Sequence, residues 1–239
     1  MTKLALLNNV DHADLRVIAG HGAEFGDNIN QVLIFPTEFE EIQREYPIFF
    51  RRDAEGQLQS VALLGLDRDE NLFLSPNGWT ARYVPALQQR GPFSIALSSG
   101  AQADAEPQIH VDLDHPRISR TEGEPLFLKA GGNSPYLQHV ARVLGSIYNG
   151  LEVSKPMFAA FEELQLIEAI DVEIALDDRV QYDVPGLFTI AQDRLAELAG
   201  EDLERLHKSG FLQVAYWVIS SLGNVSRLID LKTQKLAAA

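Results

Sequence analysis

The 239-residue sequence contains no cysteine. Disulfides, zinc–thiolate centres and cysteine nucleophiles are therefore excluded outright. No run approaches the ~18 apolar residues of a membrane-spanning helix. The opening MTKLALLNNVDHAD places about five apolar residues before Asn8, against the roughly 7–15 of a secretory signal core. The expected location is therefore cytoplasmic. The alternative is attachment to the cell surface by a route without a cleavable signal. Basic residues are also scarce: 20 Lys and Arg stand against 34 Asp and Glu, a formal charge of −14. Phosphate contacts need a basic footprint, so a nucleic-acid binder is excluded and an anionic membrane surface is disfavoured. Gly131-Gly132 is not followed by G-K-[ST], and no G-x-G-x-x-G occurs, so neither nucleotide fingerprint is present. The GHG of residues 20–22 lacks the serine of a nucleophile elbow. No cofactor is expected.

What is present is an ordinary globular balance, with 46% hydrophobic and 23% charged residues. The length allows a large core without staples. We read residues 1–239 as one domain, with a strand-rich part at about 1–130 and a helix-rich part at about 131–235. In the first part, short apolar runs such as VLIF (32–35), PIFFRR (47–52) and ENLFLSPNGWTARYV are split by Gly, Pro, Asn and Asp. Thr37 and Glu40 fit a capping box. In the second part, Ser134 can cap a helix that has Pro135 at its first position. Leu137, Val140, Ala141, Leu144, Ile147 and Tyr148 then recur at helical spacing. Lys155-Pro156 predicts a break between two helices. Val172, Ile174 and Leu176 alternate in a hairpin with Asp177-Asp178 at its turn. Residues 211–222 carry a wide apolar stripe, and Asn224 is placed to cap a terminal helix. The fold class is α+β: a strand-rich N-terminal half with a mixed or antiparallel sheet, and a helix-rich C-terminal half containing one β-hairpin.

The stretch IHVDLDHPRIS, residues 109–119, concentrates the chemistry. As a strand it sends Ile109, Val111 and Leu113 to one face, and His110, Asp112 and Asp114 to the other. Three such groups on one surface are what an oxygen- and imidazole-ligated metal requires. The same spacing is shown by a half-buried antiparallel strand with no metal. The other histidines, including His12 and His21, read as surface residues. Arg51 and Arg52 could grip a carboxylate or phosphate, or could simply end a strand in solvent. Trp79 is a turn-flanking aromatic suited to anchoring a ligand or to covering a sheet edge.

Several segments in a fixed order resemble the SapC family. They are FFRRDAEGQLQSVALLGLDRDENLFLSPNGWTARYVPALQQRGPFSIAL, RISRTEGEPLF, NSPYLQHV, VPGLFTI and LHKSGFLQVAYWVISSLGNVSRLIDLK, and they run from about Val32 to Lys232. The family takes its name from an association with a bacterial surface layer. The resemblance brings no catalytic residues. It covers Asp112, Pro116 and Arg117 but does not call for His110 or His115. It implies a non-enzymatic accessory protein of surface-layer or outer-membrane uptake systems that binds a protein or peptide partner. The candidate binding residues are Arg51, Arg52, Trp79 and Arg117. The alternative is a metal-dependent, oxygenase-like enzyme or enzyme accessory using His110, Asp112 and Asp114. A homo-oligomer is compatible with the apolar stripe of residues 211–222.

Overall fold

A computed structural model of the chain describes residues 3–96, 108–175 and 181–237. Its strands, in chain order, are β1 (Leu4–Leu6), β2 (Arg16–Val17), β3 (Gln31–Ile34), β4 (Ile48–Arg52), β5 (Leu58–Leu63), β6 (Leu74–Ser75), β7 (Gly78–Trp79), β8 (Phe93–Ala96), β9 (Gln108–Asp112), β10 (Ile118–Ser119), β11 (Glu124–Pro125), β12 (Ile167–Ala175) and β13 (Gln181–Ile190). Its helices are α1 (Phe39–Ile42), α2 (Ala86–Gln89), α3 (Pro135–Glu163), α4 (Gln192–Ala196), α5 (Gly200–Lys208), α6 (Phe211–Ser221) and α7 (Val225–Ala237). Strands β1 to β11 precede residue 130, and α3 opens a helical half interrupted by the β12–β13 hairpin. The α+β class expected from the sequence is thus the observed one. The Asp177-Asp178 turn and Leu176 lie outside the described residues.

The chain divides into two compact units that interleave in sequence. The first takes its residues from 1–27, 74–79 and 86–148, and the second from 28–73, 80–85 and 149–239. In the first unit, β1–β9–β8 and β10–β2–β11 are three-stranded antiparallel sheets, and β6–β7 is a hairpin. Leu15, Val17, Phe93, Val111 and Leu126 form its core with Leu137, Val140 and Leu144 of α3. The alternation read from 109–113 is what places Val111 opposite Phe93 on this inner face.

The second unit is built on the antiparallel sheet β12–β13–β4–β5–β3. Phe39, Phe49, Phe50 and Phe161 are fully buried, with Phe158 edge-on to Phe50 at 5.1 Å. The stripe on α6 buries Val214, Ala215 and Val218, and α6 packs against α1, α5, β4 and β13. That burial accounts for its apolar composition.

Three local expectations need correction. Pro156 does not divide two helices, because α3 runs through it. An internal proline costs roughly 3 kcal/mol, but Met157, Phe158 and Phe161 are all buried just beyond it. At roughly 1.5–3 kcal/mol for each buried apolar side chain, continuing the helix outweighs that cost. Glu38, and not Glu40, closes the helical turn after β3, accepting the Phe35 N–H at 3.1 Å. Asn224 does not cap α7; its amide donates to the carbonyls of Gln43 and Tyr46. The Ser134 cap is present, with Oγ accepting the Leu137 N–H at 3.1 Å.

Two features, one on α3 and one in the second unit, generate predictions. A Cβ at Gly150 would stand 2.4 Å from Phe35 Cβ, whereas one at Gly145 would meet nothing within 4 Å. Gly145→Ala is expected to stabilise the protein by about 1 kcal/mol through helix propensity. Gly150→Ala is expected to destabilise it by about 1–3 kcal/mol through overpacking. Urea titrations of both variants check this. The buried Lys232 ammonium bonds Asp67, and Glu70 at 2.8 Å, while Lys235 adds a second 2.8 Å bond to Glu70. Burial works to raise the Glu70 carboxyl, but these bonds outweigh it and bring it from 4.5 to about 2. The stability it contributes is therefore complete above pH 4.5 and is lost as pH falls towards 2. Glu70→Gln is expected to lower stability by about 2 kcal/mol at pH 7 and to flatten that acid limb.

Candidate site around Arg117

Within the first unit, two consecutive turns aim one arginine inward. β9 ends at Asp112, whose carboxylate accepts the Asp114 N–H at 3.1 Å. The chain therefore leaves the strand before Asp114. The expected three-residue polar face holds only His110 and Asp112, beside Leu6 and Leu4 of β1. His110 is half-buried, and its Nδ1 has no hydrogen-bond partner. Next, His115 Nδ1 accepts the Arg117 N–H at 3.1 Å, and the Arg117 carbonyl accepts the Ile18 N–H at 2.8 Å as β10 begins beside β2. Fixed at both backbone groups, Arg117 points into the unit.

Its guanidinium meets a loop wrapped around its own acid. Residues 22–27 turn through Gly26, at φ +83°, and return so that Asp27 accepts the Gly22 N–H at 3.0 Å. Arg117 Nη2 donates to Asp27 Oδ2 at 2.8 Å, with the two side chains only 5% and 4% exposed. Gln88 Nε2 donates to Oδ1 at 3.2 Å. Phe25 lies 4.8 Å under the guanidinium, a cation–π contact. His21 Nδ1 lies 3.2 Å from Asp27 and 3.3 Å from Arg117. Carrying a proton it donates to the carboxylate, and without one it accepts from the guanidinium. Trp79 packs edge-on against this imidazole at 5.4 Å.

The electrostatics follow from burial. Desolvation pushes the Asp27 carboxyl up, but His21, the Gly22 amide and the Arg117 charge together hold it below its usual range. Burial depresses Arg90, and burial with the Arg117 charge depresses His115. Burial raises Tyr136, so its hydroxyl keeps its proton.

The sequence-derived candidates therefore separate. Trp79 and Arg117 join one cluster, linked through His21. Arg51 and Arg52 belong to the second unit. Arg51 bonds Gln31 at 3.3 Å, and Arg52 bonds Glu162 at 3.2 Å while lying over Phe188. A cavity of about 330 Å³ adjoins Arg52, Lys155 and Phe158. His12 and His21 are not surface residues: His12 is buried and accepts the Asn8 N–H, and His21 is held by Asp27. Asp27, Gln88, Arg90 and Tyr136 escaped the sequence reading because no periodicity or motif connects them. Among the described residues, no group of three or more His, Asp or Glu side chains could hold a metal ion.

A second concavity of the first unit has a volume of about 670 Å³, within the range of ligand clefts. Its walls are residues 13–16 and the turn that follows β11. Phe127 pairs with Asn133, the Leu128 N–H donates to the Gly132 carbonyl at 3.0 Å, and the Gly131 N–H donates to the Leu128 carbonyl at 2.9 Å. Gly131 and Gly132 both adopt φ near +90°, which only glycine takes without strain. Leu128 projects from this turn, 48% exposed.

The ion pair yields a test. Arg117→Met leaves Asp27 buried without its cation and is expected to cost about 3–5 kcal/mol of stability in urea titration. The double variant Asp27→Leu, Arg117→Met is expected to lose less than the sum of the two single losses, since no uncompensated charge remains. The folded Asp27 carboxyl lies below its ordinary 3.8. Its contribution is thus present above about pH 4 and is lost as pH falls below that.

With this geometry described, comparison with known proteins places the chain. No curated protein and no solved structure gives a significant match. The family model SapC matches residues 7–228, which include both walls of the groove and every residue of the Arg117 cluster. The chain belongs to the SapC family.

Proposed function

We propose that this is a non-enzymatic accessory protein that binds a protein or peptide partner in a bacterial surface-layer or outer-membrane uptake system. The observation that carries the reading is the 670 Å³ groove with its hydrogen-bonded wall. A wall already fixed by its own backbone bonds loses little conformational freedom when a ligand docks. Its chemistry is mixed. Leu128 and Phe127 offer apolar surface, while Arg16 and Lys129 bring positive charge into a chain that is otherwise strongly acidic. An extended segment carrying one large apolar side chain and an acidic neighbour suits those walls.

The metal-dependent alternative draws no support from the described geometry, because among the described residues His110, Asp112 and Asp114 do not form, alone or with others, a group of three or more side chains able to hold a metal ion. No helix among the described residues is long and apolar enough to cross a membrane. The reading places the protein in the cytoplasm, with surface attachment as the alternative that cell fractionation separates.

Selection of peptides from a displayed library on the immobilised full chain tests the groove. Enriched peptides are expected to share an apolar–acidic pattern, and Leu128→Asp is expected to weaken them by roughly tenfold or more while leaving Tm unchanged. Enriched peptides that bind the Leu128→Asp variant as tightly as the parent would contradict the assignment.

A further inference from the structure

The second unit holds a cavity that belongs neither to the groove nor to the Arg117 cluster. Its volume is about 330 Å³, at the lower end of the range for small-molecule sites. One wall is the end of β4 and the start of β5, with Arg52, Leu58 and the turn between them. The other is one face of α3, where Lys155, Phe158, Ala159 and Glu162 follow at helical spacing. Phe158 is buried and fixed edge-on to Phe50 at 5.1 Å, so it gives the cavity a rigid apolar floor. Leu58 is half-buried beside it, and Ala159 contributes only a methyl group.

The polar groups of the lining are unevenly committed. Arg52 is held on three sides: Nη1 donates to the Gly56 carbonyl at 2.8 Å, Nη2 to Glu162 at 3.2 Å, and the guanidinium lies 5.6 Å over the Phe188 ring. These bonds use two of the five N–H donors of a guanidinium. Lys155 makes no hydrogen bond or ion pair among the described residues. Glu162 is the acid of the lining, and it is already paired with Arg52. Asp53 turns its carboxylate to the Glu55 and Gln57 amides and to the Gln59 side chain. Glu55 and Glu152 are exposed and lie outside the lining. The cavity therefore presents two cations and one acid, with the acid spent on one of the cations.

We propose that this cavity binds a small carboxylic acid with an apolar body. Its carboxylate is met by Lys155 and by the unused donors of Arg52, and its body lies on Phe158, Leu58 and Ala159. Charge-assisted hydrogen bonds hold the head, and burial of apolar surface holds the body. At about 30 Å³ for each water, the volume equals that of roughly eleven waters, which suits a single ring with a short acidic chain. A monoanion matches the lining, whereas a phosphate dianion would meet the Glu162 carboxylate and offer nothing to the apolar floor. An immobilised guanidinium loses little freedom when the acid docks. The site shares no residue with the groove and does not rest on the peptide-binding reading.

Calorimetric titration of the full chain with phenylacetate, with its neutral amide and with phosphate tests this, each at ionic strength matched with sodium chloride. Phenylacetate is expected to bind saturably, and the amide roughly tenfold more weakly. Two substitutions fall on exposed positions of α3, where the fold tolerates them. Lys155→Gln removes the uncommitted charge and is expected to weaken phenylacetate roughly tenfold. Ala159→Phe puts a ring into the cavity and is expected to abolish binding. Lys208→Gln, an equal loss of charge on α5, is expected to leave it unchanged. The wild-type chain supplies an independent readout: the ring of phenylacetate is expected to shift the NMR signal of the Ala159 methyl more than that of any other alanine. An amide that binds as tightly as the acid, phosphate binding in place of phenylacetate, binding that both α3 variants retain unchanged, or an Ala159 methyl unmoved by phenylacetate overturns the proposal.

Discussion

A guanidinium and a carboxylate, both almost wholly out of water, organise the polar centre of the first unit. Burying either alone would cost several kcal/mol, and the attraction between them offsets that cost only if their remaining hydrogen-bonding capacity is met. The fold meets it for Asp27 with His21, the Gly22 amide, Gln88 and Arg117. It meets it only in part for Arg117, whose Nε stays unpartnered.

The local structure around the pair follows from the same requirement. The Asp112 turn ends β9 early, and the His115 imidazole accepts the next backbone amide, so residue 117 arrives with its side chain directed inward. The loop of residues 22–27 closes through Gly26 because only then does Asp27 turn back onto its own backbone. The first is a turn after a strand and the second a single 3-10 turn over Ala23–Phe25. Their placement rests on side chain to backbone bonds of the kind that Asp and His offer in turns.

Much of the architecture was legible because its determinants are local. Alternation in residues 109–113 gave the face that packs on Phe93, and Ser134-Pro135 marked the start of α3. Val172 and Ile174 gave the inward side of the β12–β13 hairpin. What escaped was non-local. Asp27 and Arg117 are 90 residues apart, and nothing in the neighbourhood of either names the other. His21 reads as a surface residue in a glycine-rich stretch until Asp27 and Trp79 close around it. Pro156 reads as a break because its cost is local, while the burial of Phe158 and Phe161 that outweighs it is tertiary.

The central claim is that Asp27 is ionised, buried and held by Arg117. Its carboxyl carbon, followed by NMR through an acid titration of the wild-type chain, reports this directly. The account expects a midpoint below the ordinary 3.8 for an aspartate, with the Arg117 guanidinium protons moving at the same pH. A midpoint at or above 3.8, or guanidinium protons that ignore the transition, would contradict it.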